Sequence, residues 1–117
     1  MSKKHNIILQ MEMIVMNILK WIGNWYAENC DGDWEHSYGV NISNLDNPGW
    51  MVNIDLTNTK LENLKFDTID ISRSDTDWVY CNVIDEVFQG NGGANNLEEI
   101  LNIFREWVNL NTEIDKK

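Results

Sequence analysis

The sequence predicts an α+β domain, a four-stranded antiparallel sheet with N- and C-terminal helices packed on one face. Three observations predict it. Apolar residues recur at three- and four-residue steps towards both ends of the chain. Between residues 34 and 56 they alternate with a period of two, as half-buried strands require. No linker, repeat or low-complexity stretch divides the 117 residues, so one domain spans 1–117 around one core.

The first helix is expected from Ile7 or Met11 to Asn29, with Ile14, Ile18, Trp21, Ile22 and Trp25 as its stripe and Val15, Leu19 and Tyr26 widening it. Met11, Met13 and Met16 are alternative starts, which makes residues 1–12 a candidate N-terminal extension. Asp31-Gly32-Asp33 breaks the helix. A strand follows with Trp34, His36, Tyr38, Val40 and Ile42 on one face and Glu35 and Asn41 on the other. In the next strand Trp50, Val52, Ile54 and Leu56 oppose Met51, Asn53 and Asp55. Asn47-Pro48-Gly49 marks the turn between them. Only an odd loop keeps the apolar faces together. Three residues set Ile42 against Ile54, and five set Ile42 against Val52. Both remain open.

A third strand is expected around Leu64 to Ser72, with a bulge near Thr68 to reconcile its two parities. The fourth, Trp78 to Val87, carries apolar groups on both faces. Phe88 to Ala94, with three glycines, reads as a flexible loop. No Lys-Ser/Thr pair follows it and the next helix opens on Glu98 and Glu99, which argues against a phosphate cradle. The final helix is capped by Asn96, with Glu99 as its capping-box partner, and its core stripe is Leu97, Ile100, Leu101, Phe104, Trp107 and Val108. It is expected to fade past Asn109 into a polar tail over 110–117. Trp34, Trp50 and Trp107 are assigned to the core, and Trp78 is divided evenly between core and surface.

Nineteen acids against nine bases give a net charge of −10. That balance excludes nucleic acid and anionic membrane as natural partners and favours a basic one. Residues 7 to 22 are too short and too polar for a span, and no cleavage site follows them. Cys30 and Cys81 form no framework, and the cytoplasm is the expected compartment.

No catalytic constellation stands out. Asp31, Asp33 and Glu35 begin like a calcium loop, but His36 and Ile42 stand where glycine and glutamate are needed. Cys30, Asp33 and His36 lack the paired spacing of a zinc site. Burial of Cys81 would raise its pKa and blunt it as a nucleophile. The reading is therefore no cofactor, no metal and no enzyme. A small carboxylate- and His36-based or metal-dependent enzyme is the alternative.

At Cys30-Asp-Gly-Asp-Trp-Glu-His-Ser-Tyr-Gly39 and Leu45-Asp-Asn-Pro-Gly-Trp50 the sequence resembles the immunity protein 53 family of bacterial polymorphic toxin systems. The Trp34-Glu35 pair and Pro48-Gly49-Trp50 carry the likeness. It continues at Asp77-Trp78, the glycine stretch and Leu97 to Trp107, and covers roughly residues 14 to 108. The resemblance implies a cytoplasmic protein that binds and blocks a cognate toxin encoded nearby, a basic nuclease being one fitting target. It names no contact residues. Face assignment and charge suggest Asp31, Asp33, Glu35, Asp55, Trp78 and Tyr80, on a protein expected to be a monomer or a weak homodimer.

Overall fold

The computed structural model describes residues 17–115. The elements run α1 (Ile18–Asn29), α2 (Trp34–Ser37), β1 (Val40–Leu45), β2 (Gly49–Asp55), β3 (Ile69–Ser72), β4 (Trp78–Ile84), β5 (Val87–Gly93) and α3 (Leu97–Asp115). The class is the expected α+β, but the antiparallel sheet has five strands, ordered β1-β2-β5-β4-β3.

The fifth strand is the main departure. The expected strand over 78–87 stops at Ile84, where Asp85 and Glu86 turn the chain with φ of 53° and 62°. Two positive φ values in a two-residue connection are the hairpin geometry whose twist suits the strands. The glycine stretch then forms β5, the central strand, bonded to β2 on one side and β4 on the other. Its glycines serve close packing. A Cβ on Gly90 would overlap Ile100 Cγ2, and one on Gly92 would lie 3.0 Å from Ile100 Cδ1. Helix α3 therefore sits directly on the strand backbone, the use of glycine that a strand interior permits.

Three further expectations change. Trp34–Ser37 is a helical turn, so the first strand begins only at Val40. The third strand is confined to Ile69–Ser72, which removes the parity conflict without a bulge. The last helix runs on to Asp115 beyond the end of its apolar stripe. The part of the first helix expected before residue 17 lies outside the described residues. At the β1–β2 turn the register is the Ile42–Val52 alternative. One more pair, Leu45–Gly49, closes at the tip, so only Asp46, Asn47 and Pro48 stay outside it.

The core lies between the sheet and the helices. Helix α3 crosses β2, β5 and β4, and α1 packs on α3. Val52, Ile54, Leu56, Val79, Cys81, Phe88, Ile100, Leu101 and Phe104 are fully buried there. Phe104 meets Trp25 at 5.0 Å between ring centroids and Phe88 at 5.1 Å, tying both helices to the central strand. Three tryptophans pin loops as well as fill space. Trp34 donates its indole N–H to Thr57 O (2.9 Å), Trp50 to Ala94 O (2.9 Å) and Trp107 to Lys65 O (3.0 Å). Trp34 and Trp107 are buried, and Trp50 is half-buried against the core.

The N-terminus of α3 is locked by side chains. Arg73 bonds Glu99 through both guanidinium nitrogens (3.1 and 2.6 Å) and Asp77 (2.9 Å). Buried Asn96 donates its amide to Asp77 (2.9 Å) and Glu99 (3.1 Å). Two carboxylates demand the donor end of that amide, which leaves its Oδ1 without a hydrogen-bond partner. The capping box is thus modified: Glu99 reaches back to the Asn96 side chain.

Candidate binding surface

The acidic motif around Trp34 folds onto itself. Asp31 Oδ1 accepts the N–H groups of Asp33 (3.0 Å) and Trp34 (2.9 Å). Glu35 returns the arrangement, its two oxygens accepting from Asp31 N (3.0 Å) and Gly32 N (2.9 Å). Gly32 sits at φ +91°, a backbone conformation that L side chains rarely adopt. Bonds from the Trp34 and Asp33 N–H groups lower the Asp31 pKa. Those from Glu35's own N–H and from Asp31 and Gly32 lower that of Glu35. Asp55 is anchored similarly, accepting Gly39 N–H at 2.9 Å. Glu35 and Asp55 line one cleft with His36, Tyr26 and Tyr38, at the start of β1.

This geometry makes the motif structural. Asp31 Oδ1 and both Glu35 oxygens, which a calcium loop or an acid–base pair would present, are turned onto the chain's own amides. Among the described residues no group of three or more His, Cys, Asp or Glu side chains could hold a metal ion. Cys81 is fully buried and its thiol is pushed up to about 12 by desolvation, so it stays protonated at neutral pH.

The opposite face of the sheet is different. Helices α1 and α3 lie on the side of Val52, Cys81 and Phe88, so the alternate residues face away from them. Strand pairing aligns these in rows. Ser43, Met51, Asn91, Tyr80 and Asp70 form one, and Asn41, Asn53, Gln89 and Asn82 the next. Asp55, Val87 and Ile84 form a third, and Trp78 lies two residues from Tyr80 along β4. Tyr80 and Ile84 are 40% and 46% exposed. The middle of this face is uncharged, built of Met51, Tyr80 and amide side chains, with Asp55 and Asp70 at its margins. Aromatic and Met side chains inside a polar rim are the composition of a protein interface.

Of the residues singled out from sequence, Trp78, Tyr80 and Asp55 share this open face. Asp31, Asp33 and Glu35 do not; they belong to the loop and helical turn before β1. Glu35 was expected on the sheet, and the helix at Trp34–Ser37 removes it. Met51 follows from the period of two in β2. Gln89 and Asn91 could be found only by recognising the glycine stretch as a strand.

Fold and surface define a small α+β domain with one covered and one open sheet face. No described helix is long and apolar enough to cross a membrane. The sequence model of the family described as Immunity protein 53 matches residues 19–109, most of the chain. The chain belongs to that family. No curated protein and no solved structure matches it.

Proposed function

We propose that this protein neutralises a cognate bacterial toxin in the cytoplasm by stoichiometric occlusion, presenting the open sheet face. The observation that carries this reading is the uncharged aromatic and amide centre of that face between two acidic margins. Tyr80, Trp78 and Met51 supply anchors of the kind that dominate binding energy. Asp55 and Asp70, with the net charge of −10, steer a basic toxin and orient it. A basic nuclease fits this best, because the surface that binds phosphate is one an acidic protein can cover.

The test is co-expression with the toxin encoded beside it. Growth should be restored by the wild type and lost again with Tyr80→Lys. Failure of the wild type to protect against that toxin defeats the proposal. Asp55 and Glu35 are poor probes for charge reversal because each also holds backbone N–H groups. Asp70 is exposed and no side-chain bond ties it to another of the described residues, so Asp70→Lys isolates the electrostatic contribution.

A further inference from the structure

We infer that the free edge of β1 is a self-pairing surface, joining two copies of this chain into one continuous sheet. The two edges of the sheet are not alike. Strand β3 has four residues, includes Asp70, and borders a groove lined by Glu98, Glu99 and Glu106. It is a protected edge, short and charged. Strand β1, Val40–Leu45, has six residues and carries no charge, proline or lysine, in a chain of which 24% is charged. Asn41, Ile42, Ser43 and Asn44 are all exposed.

The direction of its backbone follows from the ladder. Asp55 N–H bonds Gly39 O, so Gly39 and Asp55 are a hydrogen-bonded pair. Alternation then makes Asn41–Asn53, Ser43–Met51 and Leu45–Gly49 the bonded pairs along β1. Val40, Ile42 and Asn44 therefore aim their N–H and C=O groups outward, where no described element meets them.

The occupant is set by charge and symmetry. Unlike the open face, the strip has neither an aromatic anchor nor an acid of its own to draw a basic partner. For a second copy of net charge −10 it is the approach that avoids like-charge contact. The antiparallel register that uses all three outward residues on both copies is centred on Ile42. It places Ile42, 39% exposed, against its own counterpart on the helix side. Asn41 then faces Ser43 of the other copy on the open side, where amide and hydroxyl can bond. Such a two-fold contact is self-complementary. One strand pair buries less than the roughly 1,200 Å² of a stable interface, so the dimer is a concentration-dependent one. It leaves the open faces of both copies free for toxin and does not depend on what that toxin is.

Sedimentation velocity on the full chain over a wide concentration range tests this. The wild type should pass from monomer to dimer. Ile42→Lys, which sets like charges against each other across the axis, should stay monomeric with an unchanged melting temperature. A second readout uses the Cys30→Ser background. There Ile42→Cys should give a covalent dimer under mild oxidation, and Asn44→Cys, which faces Val40 instead, should not. A wild type that is monomeric throughout overturns the inference. So does a dimer that survives Ile42→Lys, or equal cross-linking at both positions. A monomeric wild type whose toxin binding is abolished by Ile42→Lys would assign the edge to the toxin instead.

Discussion

Gly90 and Ile100 offer a quantitative check on how α3 sits on the central strand. Both are fully or nearly buried, and a methyl group at Gly90 would overlap Ile100 Cγ2. It would also lie 3.3 Å from the Phe88 ring and 3.5 Å from Cys81 Sγ. The overlap is with the Cγ2 methyl of a β-branched side chain on helix α3, one bond from Cβ, so it cannot be relieved by swinging a flexible end away. Gly90→Ala should therefore lower stability by about 1–3 kcal/mol, the usual range for overpacking. Ile100→Ala empties a fully buried site and should cost about 2–5 kcal/mol. In the double variant the new methyl enters space that the isoleucine has left. Its loss should fall short of the sum by about 0.5–3 kcal/mol, a coupling typical of residues in contact. Equilibrium urea unfolding followed by tryptophan fluorescence reads all three, with the denaturant slope as a check that unfolding remains two-state. Strict additivity would refute the claim that β5 is glycine-rich because α3 lies directly on it.

Trp34→Phe should cost about 1–3 kcal/mol in the same assay, because it leaves the Thr57 carbonyl without its indole donor; an unchanged midpoint would contradict this. The carboxyls of Asp31, Glu35, Asp77 and Glu99 are all held below their ordinary values. The causes are backbone amides at the first two, the Asn96 amide and then Arg73 at Asp77, and Arg73 foremost at Glu99. Groups whose folded pKa is depressed stabilise the fold above their unfolded pKa and lose that contribution as pH falls through the folded one. Stability should therefore hold from neutral pH down to near the ordinary glutamate value of 4.5 and decline below it. Combining Asp31→Asn with Glu35→Gln should make that decline shallower, and an identical acid limb would contradict the loop geometry. A disulfide-exchange reagent at neutral pH should label Cys30 in the native protein and reach Cys81 only on unfolding. Rapid labelling of both would show that the Cys81 site opens.

How far the fold could be read from sequence depended on how local each signal was. The α3 stripe and the alternation from Gly49 to Leu56 are periodic in themselves, and both were legible. The glycine stretch was not, because a glycine's role here is set by Ile100 approaching from a distant helix. Residues 87–93 carry little strand propensity of their own. Trp34 to Ser37 misled for the opposite reason. Their alternation suits a strand, but the carboxylates of Asp31 and Glu35 bond nearby amides and favour a turn. The same competition takes up part of the acidic motif: the carboxylates of Asp31 and Glu35 accept amide N–H groups of the loop itself. Tyr80 and Trp78 share the face that alternation along β4 assigns them, because parity within a single strand survives errors about its neighbours.

The Trp34-Glu35 and Pro48-Gly49-Trp50 motifs therefore tie loops of the fold together, and the recognition surface proposed above is the uncharged centre of the open face. Titration calorimetry between the purified protein and the proposed cognate toxin tests that directly. One-to-one binding is expected, weakened by about thirtyfold or more in Tyr80→Ala, as for an interface anchor worth at least 2 kcal/mol. Asp33→Ala, in the acidic loop, should bind as the wild type does. Tight binding unaffected by Tyr80→Ala but lost with Asp33→Ala would contradict the account and return the contact to the acidic loop.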